Sequence, residues 1–116
     1  MRRVETTTEL FVEPSAILVG IEDDLVALCH ELLPPGGLKV YRVAHAHAVC
    51  ERMAVLLPRL IVVPAAMRSV ELELIEDRAA AVGAIVLHLD PGHGYELLGA
   101  QLTITLQDLR AMYRRR

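Results

Sequence analysis

Three short and mostly apolar runs constrain the fold of this chain more than any other feature. They are AILVGI at residues 16–21, LIVVPA at 60–65 and AIVLHL at 84–89. Runs of this length that are rich in β-branched residues are typical of strands buried on both faces of a sheet. Two further segments, LKVYRV at 38–43 and QLTITL at 101–106, alternate apolar with polar residues, which predicts strands with one solvated face.

Amphipathic helical patterns separate these five segments. A first helix is predicted to begin near Asp24, with Asp23 or Asp24 as its N-cap, and to end at PPGG. A second covers about residues 47–57, and a third follows an N-cap at Ser69 and ends at Gly83. A helical turn at 95–98 follows the loop DPGHG, and a last helix begins near residues 105–107. The predicted buried face of the third helix consists of Val70, Leu74, Ile75, Ala79 and Val82.

Five strands that alternate with helices predict one α/β domain, in which helices cover both faces of a parallel sheet. Interior strands of such a sheet are apolar throughout, whereas edge strands alternate. The expected fold is therefore a three-layer, flavodoxin-like doubly wound sheet with strand order 2-1-3-4-5 and a shortened fourth helix. Residues 16–116 form this domain. Residues 1–15 are an N-terminal extension, either an arm or an extra strand, because residues 4–12 largely alternate.

Charge and composition exclude several classes of protein. The chain has 12 Lys and Arg against 15 Asp and Glu, so it lacks the basic balance expected of a nucleic-acid binder. Its 2 cysteines provide neither a disulfide framework nor a metal-ribbon spacing. No apolar run is long enough for a membrane span, and the N-terminus lacks a signal-peptide core. A cytoplasmic protein is expected.

The order and spacing of the motifs over residues 16–113 resemble the receiver domains of bacterial two-component response regulators. The segment AILVGIEDDLVALCHELLPPGGLKVYRV follows the family's first strand, acidic turn, D-L-x-x-L-x-x-L-L helix and second strand. LPRLIVVPAAM resembles the third-strand motif R-P-D-L-V-L-L-D-L-M-M-P, and AIVLHL resembles the fourth strand. GAQLTITLQDL resembles the segment G-A-D-D-Y-L-x-K-P-F.

The resemblance implies a phosphorylation site whose residues are missing here. Receivers accept a phosphoryl group on an aspartate at the end of the third strand, and that position falls on Pro64. The Mg²⁺-binding acidic pair falls on Gly20-Ile21 or Ile21-Glu22, the hydroxyl position on His88 and the lysine position near Leu106. Phosphoryl transfer needs an in-line carboxylate and cations that neutralise the equatorial oxygens, and three losses together remove this chemistry. The resemblance therefore indicates a degenerate pseudo-receiver.

The expected function is phosphorylation-independent protein–protein interaction in bacterial signalling or regulation. We expect no enzymatic activity, no cofactor and no bound metal, and neither nucleic acid nor a membrane as a partner. The expected partners are another protein and a second copy of the chain. The expected twofold dimer uses the region from residue 95 onward, where the shortened helix leaves the fifth strand exposed, with Gln101, Thr103 and Thr105 on its polar face. The residues singled out for this interface are Tyr95, Leu98, Thr103, Leu109, Met112 and Tyr113.

An alternative hypothesis is a small-ligand or metal-binding domain that uses the carboxyl end of the sheet, where open α/β sheets bind ligands. Its residues are Glu22, Asp23, His88, Asp90 and His93. A second cluster, H-x-H-x-x-C at His45, His47 and Cys50, is interpreted as surface histidines beside a buried thiol, because the two rings project from different sides of a helix. The basic chain ends are interpreted as solvated.

Overall fold

The computed structural model of the chain describes residues 13–114. Four strands alternate with four helices, and a 3₁₀ turn at Pro34–Gly36 precedes the second strand. In chain order the elements are β1 (Ser15–Val19), α1 (Asp23–Leu32), β2 (Lys39–Val43), α2 (Ala46–Leu56), β3 (Leu60–Pro64), α3 (Ser69–Val82), β4 (Ile85–Leu89) and α4 (Tyr95–Arg114).

The strands form one parallel sheet of order β2-β1-β3-β4. Ile17 lies between Tyr41 of β2 and Ile61 of β3, and Val62 lies beside Leu87 of β4. This order matches the first four strands of the predicted flavodoxin-like winding, so the α/β class and its parallel sheet are confirmed.

Two apolar clusters, one on each face of the sheet, make the molecule three layers thick. Alternate residues of β1 supply both, because successive strand residues point to opposite faces. Ala16 and Leu18 pack with α1 and α4, whereas Ile17 and Val19 pack with α2 and α3. Every residue of β1 is buried, as its apolar sequence predicts for an interior strand.

The predicted fifth strand is wrong. Residues 101–106 lie inside α4, and the predicted turn at 95–98 is the first turn of the same 20-residue helix. Alternation at Leu102, Ile104 and Leu106 favoured a strand, but helical spacing describes the residues that are buried. These inward residues are Leu98, Leu102, Leu106 and Leu109, which belong to the cluster shared with α1.

Loss of the fifth strand makes β4 an edge strand, although its apolar sequence predicts an interior position. Within the described part of the chain, β4 pairs only with β3. Ile85, Val86 and Leu87 are accordingly only half-buried, whereas Ile61 and Val62 of β3 are fully buried. Strand β2, at the other edge, has the alternating sequence expected of its position.

The predicted N-caps of α1 and α3 are wrong, and the predicted buried face of α3 is only partly confirmed. Ser69 is the first residue of α3 rather than its N-cap, which is Arg68, and no side chain caps α1, whose N-cap is Glu22. Val70 and Leu74 are exposed, so the predicted buried face of α3 reduces to Ile75, Ala79 and the half-buried Val82. Residues 1–12, which include the predicted arm or strand at 4–12, lie outside the described residues.

Pro64 is the last residue of β3, where it interrupts no ladder bond. Pairing of β3 with β1 stops at Val62. The Ala65 N–H bonds to Leu89 of β4, so the nitrogen of the preceding Pro64 faces the β1 side, beyond the end of that pairing. A residue without an N–H is tolerated at such a position.

Candidate functional site

The candidate site lies at the carboxyl end of the sheet, where a glycine turn follows β1. Gly20 has a φ of 60°, and its N–H donates to the Val43 carbonyl. A Cβ at this position would lie 3.3 Å from the Ala44 oxygen. The turn directs Ile21 into the core, where it is buried, and leaves Glu22 in solvent at the start of α1.

A crevice of about 260 Å³ lies between the start of α1 and the loop that leads from β4 to α4. Its polar side chains are Glu22 and Asp24 from the first of these segments and His93 and Tyr95 from the second. The Asp24 side chain lies beside Tyr95 in this crevice. Loss of hydration raises the pKa of Tyr95, and the carboxylates of Asp24 and Glu22 raise it further because they oppose a phenolate.

The other two predicted carboxylates are engaged elsewhere. Asp90 Oδ1 accepts the Gly92 N–H at 2.8 Å, which closes a turn within the loop, and Asp90 Oδ2 lies 3.8 Å from His93 Nε2. Asp23 Oδ1 accepts a hydrogen bond of 2.7 Å from Arg42 Nη2, which also donates to the Ile21 carbonyl at 3.1 Å. Through Arg42, Asp23 therefore connects the loop after β1 to β2, and it does not face the crevice.

His88 does not join the crevice. It lies within β4 on the face covered by α3, and its Nε2 is 3.9 Å from Oε2 of Glu76. Of the five residues proposed for a ligand site, the structure brings Glu22 and His93 to the crevice and adds Asp24 and Tyr95 to them. Strand parity is a signal that could have separated His88, because it alternates with Leu87 and Leu89.

A second crevice, of about 390 Å³, lies where β1 and β3 diverge beyond their carboxyl ends. Pro64 and Gly20 form part of its wall, and the starts of α2 and α3 contribute His45 and Arg68. Leu106, which the receiver resemblance matches to a lysine at the end of a fifth strand, is far from this crevice. It lies in the middle of α4 against Gly36, at the amino end of the sheet, so that correspondence is wrong.

The H-x-H-x-x-C segment spans the start of α2. His45 is the N-cap of the helix. His47 is exposed, and its Nε2 lies 3.9 Å from Oε2 of Glu51. Cys50 is buried. Among residues 13–114, no three His, Cys, Asp or Glu side chains are grouped as a metal ion would require.

The residues predicted for a protein interface separate into two groups. Leu98 and Leu109 are buried in the core. Tyr113 is partly buried against the same apolar cluster, and its hydroxyl donates to the Gly83 carbonyl at 3.0 Å. Tyr95, Thr103 and Met112 are exposed.

A surface that the sequence analysis missed is the solvent-exposed side of α4. Leu97, Ile104 and Met112 are exposed large apolar residues on this helix. The signal that could have identified the helix is the spacing of Leu98, Leu102, Leu106 and Leu109, which repeats every three or four residues.

Comparison of the sequence with protein-family models and with curated proteins finds no match. No helix within residues 13–114 is both long and apolar enough to cross a membrane.

Proposed function

We propose that this chain is a protein–protein interaction module of the pseudo-receiver kind, which acts in bacterial signalling or regulation without phosphorylation. It is not an enzyme in this proposal and needs no cofactor. The observation that carries the proposal is Pro64 at the end of β3, where the resemblance to receivers implies the phosphoryl acceptor. The parallel sheet of order 2-1-3-4 is compatible with a receiver that has lost a strand.

The residues around Pro64 support the absence of phosphoryl transfer. Proline has no side-chain nucleophile, and Ile21, which the resemblance matches to the acidic pair, is apolar and buried. The only lysine in the sequence, Lys39, lies at the start of β2, with its Nζ 3.9 Å from Oε1 of Glu13. It is therefore at the amino end of the sheet and cannot neutralise charge at the carboxyl end of the sheet. An interaction module with this sheet would therefore present a fixed surface rather than one that phosphorylation switches.

Incubation with acetyl phosphate and Mg²⁺, followed by intact-mass spectrometry, tests this proposal. We expect no added phosphate, while a conventional receiver treated in parallel is phosphorylated. Partner capture from a bacterial extract should recover the same proteins with and without acetyl phosphate. Acid-labile phosphate on Glu22, Asp23 or Asp24, or capture that depends on acetyl phosphate, would contradict the proposal.

A second candidate function is small-ligand binding, which the crevice lined by Glu22, Asp24, His93 and Tyr95 favours. Its carboxylates and imidazole are groups that bind cations. Calorimetric titration with Zn²⁺ and with Mg²⁺ tests it, with Asp24→Asn as the variant and Asp77→Asn, an exposed residue of α3, as the control. Saturable binding that Asp24→Asn abolishes would favour ligand binding over the interaction module.

A further inference from the structure

We propose that the groove between α1 and the start of α4 binds a basic segment of a partner protein, in which two arginine or lysine side chains three residues apart reach Asp24 and Glu31 beside the ring of Tyr95. This inference deepens the proposed function, on which it rests, by naming the chemistry of the partner and the surface that receives it.

The groove has a volume of about 370 Å³ and follows the outer side of α1. Asp24, Ala27, Leu28 and Glu31 line it along α1, and Tyr95, the first residue of α4, forms its other wall. The four α1 residues are spaced three or four apart, so they form one continuous stripe on the helix. The crevice of about 260 Å³ described above shares Asp24 and Tyr95 with this groove, so the two adjoin there.

The groove is apolar along its middle and acidic at both ends. Ala27 is exposed, Leu28 is half-buried and Tyr95 is 56% exposed, so this apolar surface is open to solvent. Asp24 and Glu31 lie at the two ends, and both are exposed. Such a surface fits an arginine or lysine side chain, whose alkyl stem packs on apolar atoms while its charged head stays in water. The Tyr95 ring adds to this fit, because cations bind the faces of aromatic rings.

The carboxylates around Tyr95 have no cationic partner within the described part of the chain. None of the ion pairs formed among residues 13–114 includes Glu22, Asp24 or Glu31. Their negative field acts on Tyr95, whose pKa is raised by loss of hydration and further by Asp24 and Glu22. A partner that supplies positive charge therefore complements this surface.

The distance between the two acidic ends limits what the groove can bind. Asp24 and Glu31 are seven residues apart on α1, and a helix rises by about 1.5 Å per residue, so their backbones are separated by about 10 Å. One metal ion, whose ligand atoms lie within about 2.6 Å of it, does not span this distance. In a polyproline II segment, residues three apart lie on the same side of the chain at a separation of about 9 Å. Two basic residues at that spacing match the two carboxylates.

The walls of the groove are helices, so side chains recognise the partner. None of the described residues that line it belongs to a strand whose edge could pair with the partner's main chain. A polyproline II segment needs no such pairing, because its own N–H and C=O groups remain hydrated. Proline residues between the two basic residues would hold the segment extended and pack on the aromatic ring, as proline-rich segments do in other aromatic-lined grooves.

The basic end of α4 does not fill the groove of its own molecule. Arg114, the last residue of α4, is 19 residues after Tyr95, so it lies about 28 Å away along the helix. That distance is far beyond the reach of a side chain.

Fluorescence anisotropy with a labelled peptide tests the two carboxylates. The probe is fluorescein-GSRPPRSG, in EDTA and at about 0.15 M NaCl, where long-range attraction is largely screened. We expect saturable binding to the wild-type chain. The double variant Asp24→Asn, Glu31→Gln should weaken this binding by about fivefold or more, because it removes both ionic contacts. The matched control Glu73→Gln, Asp77→Asn removes the same net charge from exposed residues of α3, and it should change the affinity by less than about twofold.

Substitution of Tyr95 and changes in the peptide test the ring and the spacing. Tyr95→Ala should weaken binding of the probe by about threefold or more, whereas Tyr95→Phe, which keeps the ring, should bind as wild type does. The peptide GSRRPPSG, which has the same composition with adjacent arginines, should bind more weakly than the probe. GSQPPQSG, which has no charge in place of the arginines, should not bind.

Several results would overturn the inference: no saturable binding to the wild-type chain, equal weakening by the two double variants, or equal binding of GSRPPRSG and GSRRPPSG. Self-association of the wild-type chain that Asp24→Asn, Glu31→Gln abolishes would assign the groove to the basic end of a second copy instead. Tighter binding of the probe by Arg2→Ala, Arg3→Ala would assign it to the chain's own N-terminal segment. None of these outcomes changes the response to acetyl phosphate, so failure of this inference is distinguishable from failure of the proposed function.

Discussion

At the scale of single residues, burial determines the chemistry of the two cysteines. Cys29, on α1, is fully buried in the cluster between α1, α4 and the sheet, and Cys50, on α2, is buried in the cluster on the opposite face. Burial raises the pKa of Cys29 to about 11. Burial also raises the pKa of Cys50, although the nearby Arg78 lowers it in part. Both thiols are therefore poor nucleophiles near neutral pH.

Thiol labelling checks this conclusion. With a pKa of about 11, Cys29 has about 100-fold less thiolate at pH 8 than a thiol at the ordinary cysteine pKa of 9.0, and burial slows access further. We expect neither Cys29 nor Cys50 to react with 5,5′-dithiobis(2-nitrobenzoate) within minutes in the native protein, and both to react at once in guanidinium chloride. Rapid labelling of the native chain would show that these residues are accessible.

At the scale of elements, the long helix α4 contains Gly99 near its start, where glycine is unfavourable. A Cβ at Gly99 would make only an ordinary contact, 3.8 Å from Leu32 Cδ1. We expect Gly99→Ala to raise the free energy of unfolding by about 0.5 to 1 kcal/mol, because alanine loses less backbone entropy in a helix. Chemical denaturation provides the measurement.

Gly83 supplies the control for this prediction. It ends α3 at a φ of 78°, in open space, so Gly83→Ala should lower the free energy of unfolding by about 1 kcal/mol through backbone strain alone. Destabilisation by both substitutions would contradict a helical conformation at Gly99.

Proline substitutions test β4 as an edge strand. The His88 N–H points away from β3, so His88→Pro should cost about 1 kcal/mol or less. The Leu87 N–H points toward β3, and Leu87→Pro should cost about 3 kcal/mol or more because it breaks a ladder bond. Equal losses of stability in thermal or chemical unfolding would show that the outer edge of β4 is already paired.

At the scale of the whole molecule, the raised pKa values predict a loss of stability at alkaline pH. Above pH 9 the unfolded chain releases the Cys29 proton while the native chain keeps it up to about pH 11. The unfolded state then binds fewer protons than the native state, so stability falls as pH rises. The Cys29 contribution is about 2 to 3 kcal/mol between these limits, and Cys50 and Tyr95 act in the same direction.

Chemical denaturation at a series of pH values from 7 to 11 measures this effect. The Cys29→Ala variant should be less stable than wild type at neutral pH, because it leaves a small cavity, but its stability should fall less steeply above pH 9. Parallel profiles for the two proteins would show that Cys29 does not contribute to the alkaline decline.

The local pattern of residues determined most of the elements of this protein. The runs at 16–21, 60–65 and 84–89 contain strands because short, apolar runs rich in β-branched residues suit a strand that is buried on both faces. PPGG and Gly83 follow the ends of α1 and α3. The alternating β2 lies at an edge and the apolar β1 and β3 lie inside the sheet, as their patterns predict. The resemblance to receivers also implied that Pro64 lies at the end of the third strand, and Pro64 is the last residue of β3.

Tertiary packing decided the rest. The segment QLTITL satisfies both a period of two and a helical period, and only its contact with α1 and the sheet favours the helix, which buries Leu98, Leu102 and Leu106 together. That outcome left β4 at an edge and placed Ile104 on the surface. The tertiary structure also places Glu22 and His93 in the same crevice, whereas His88 lies on the other face of the sheet beside Glu76. The sequence pattern alone does not indicate which loops meet at the end of a sheet.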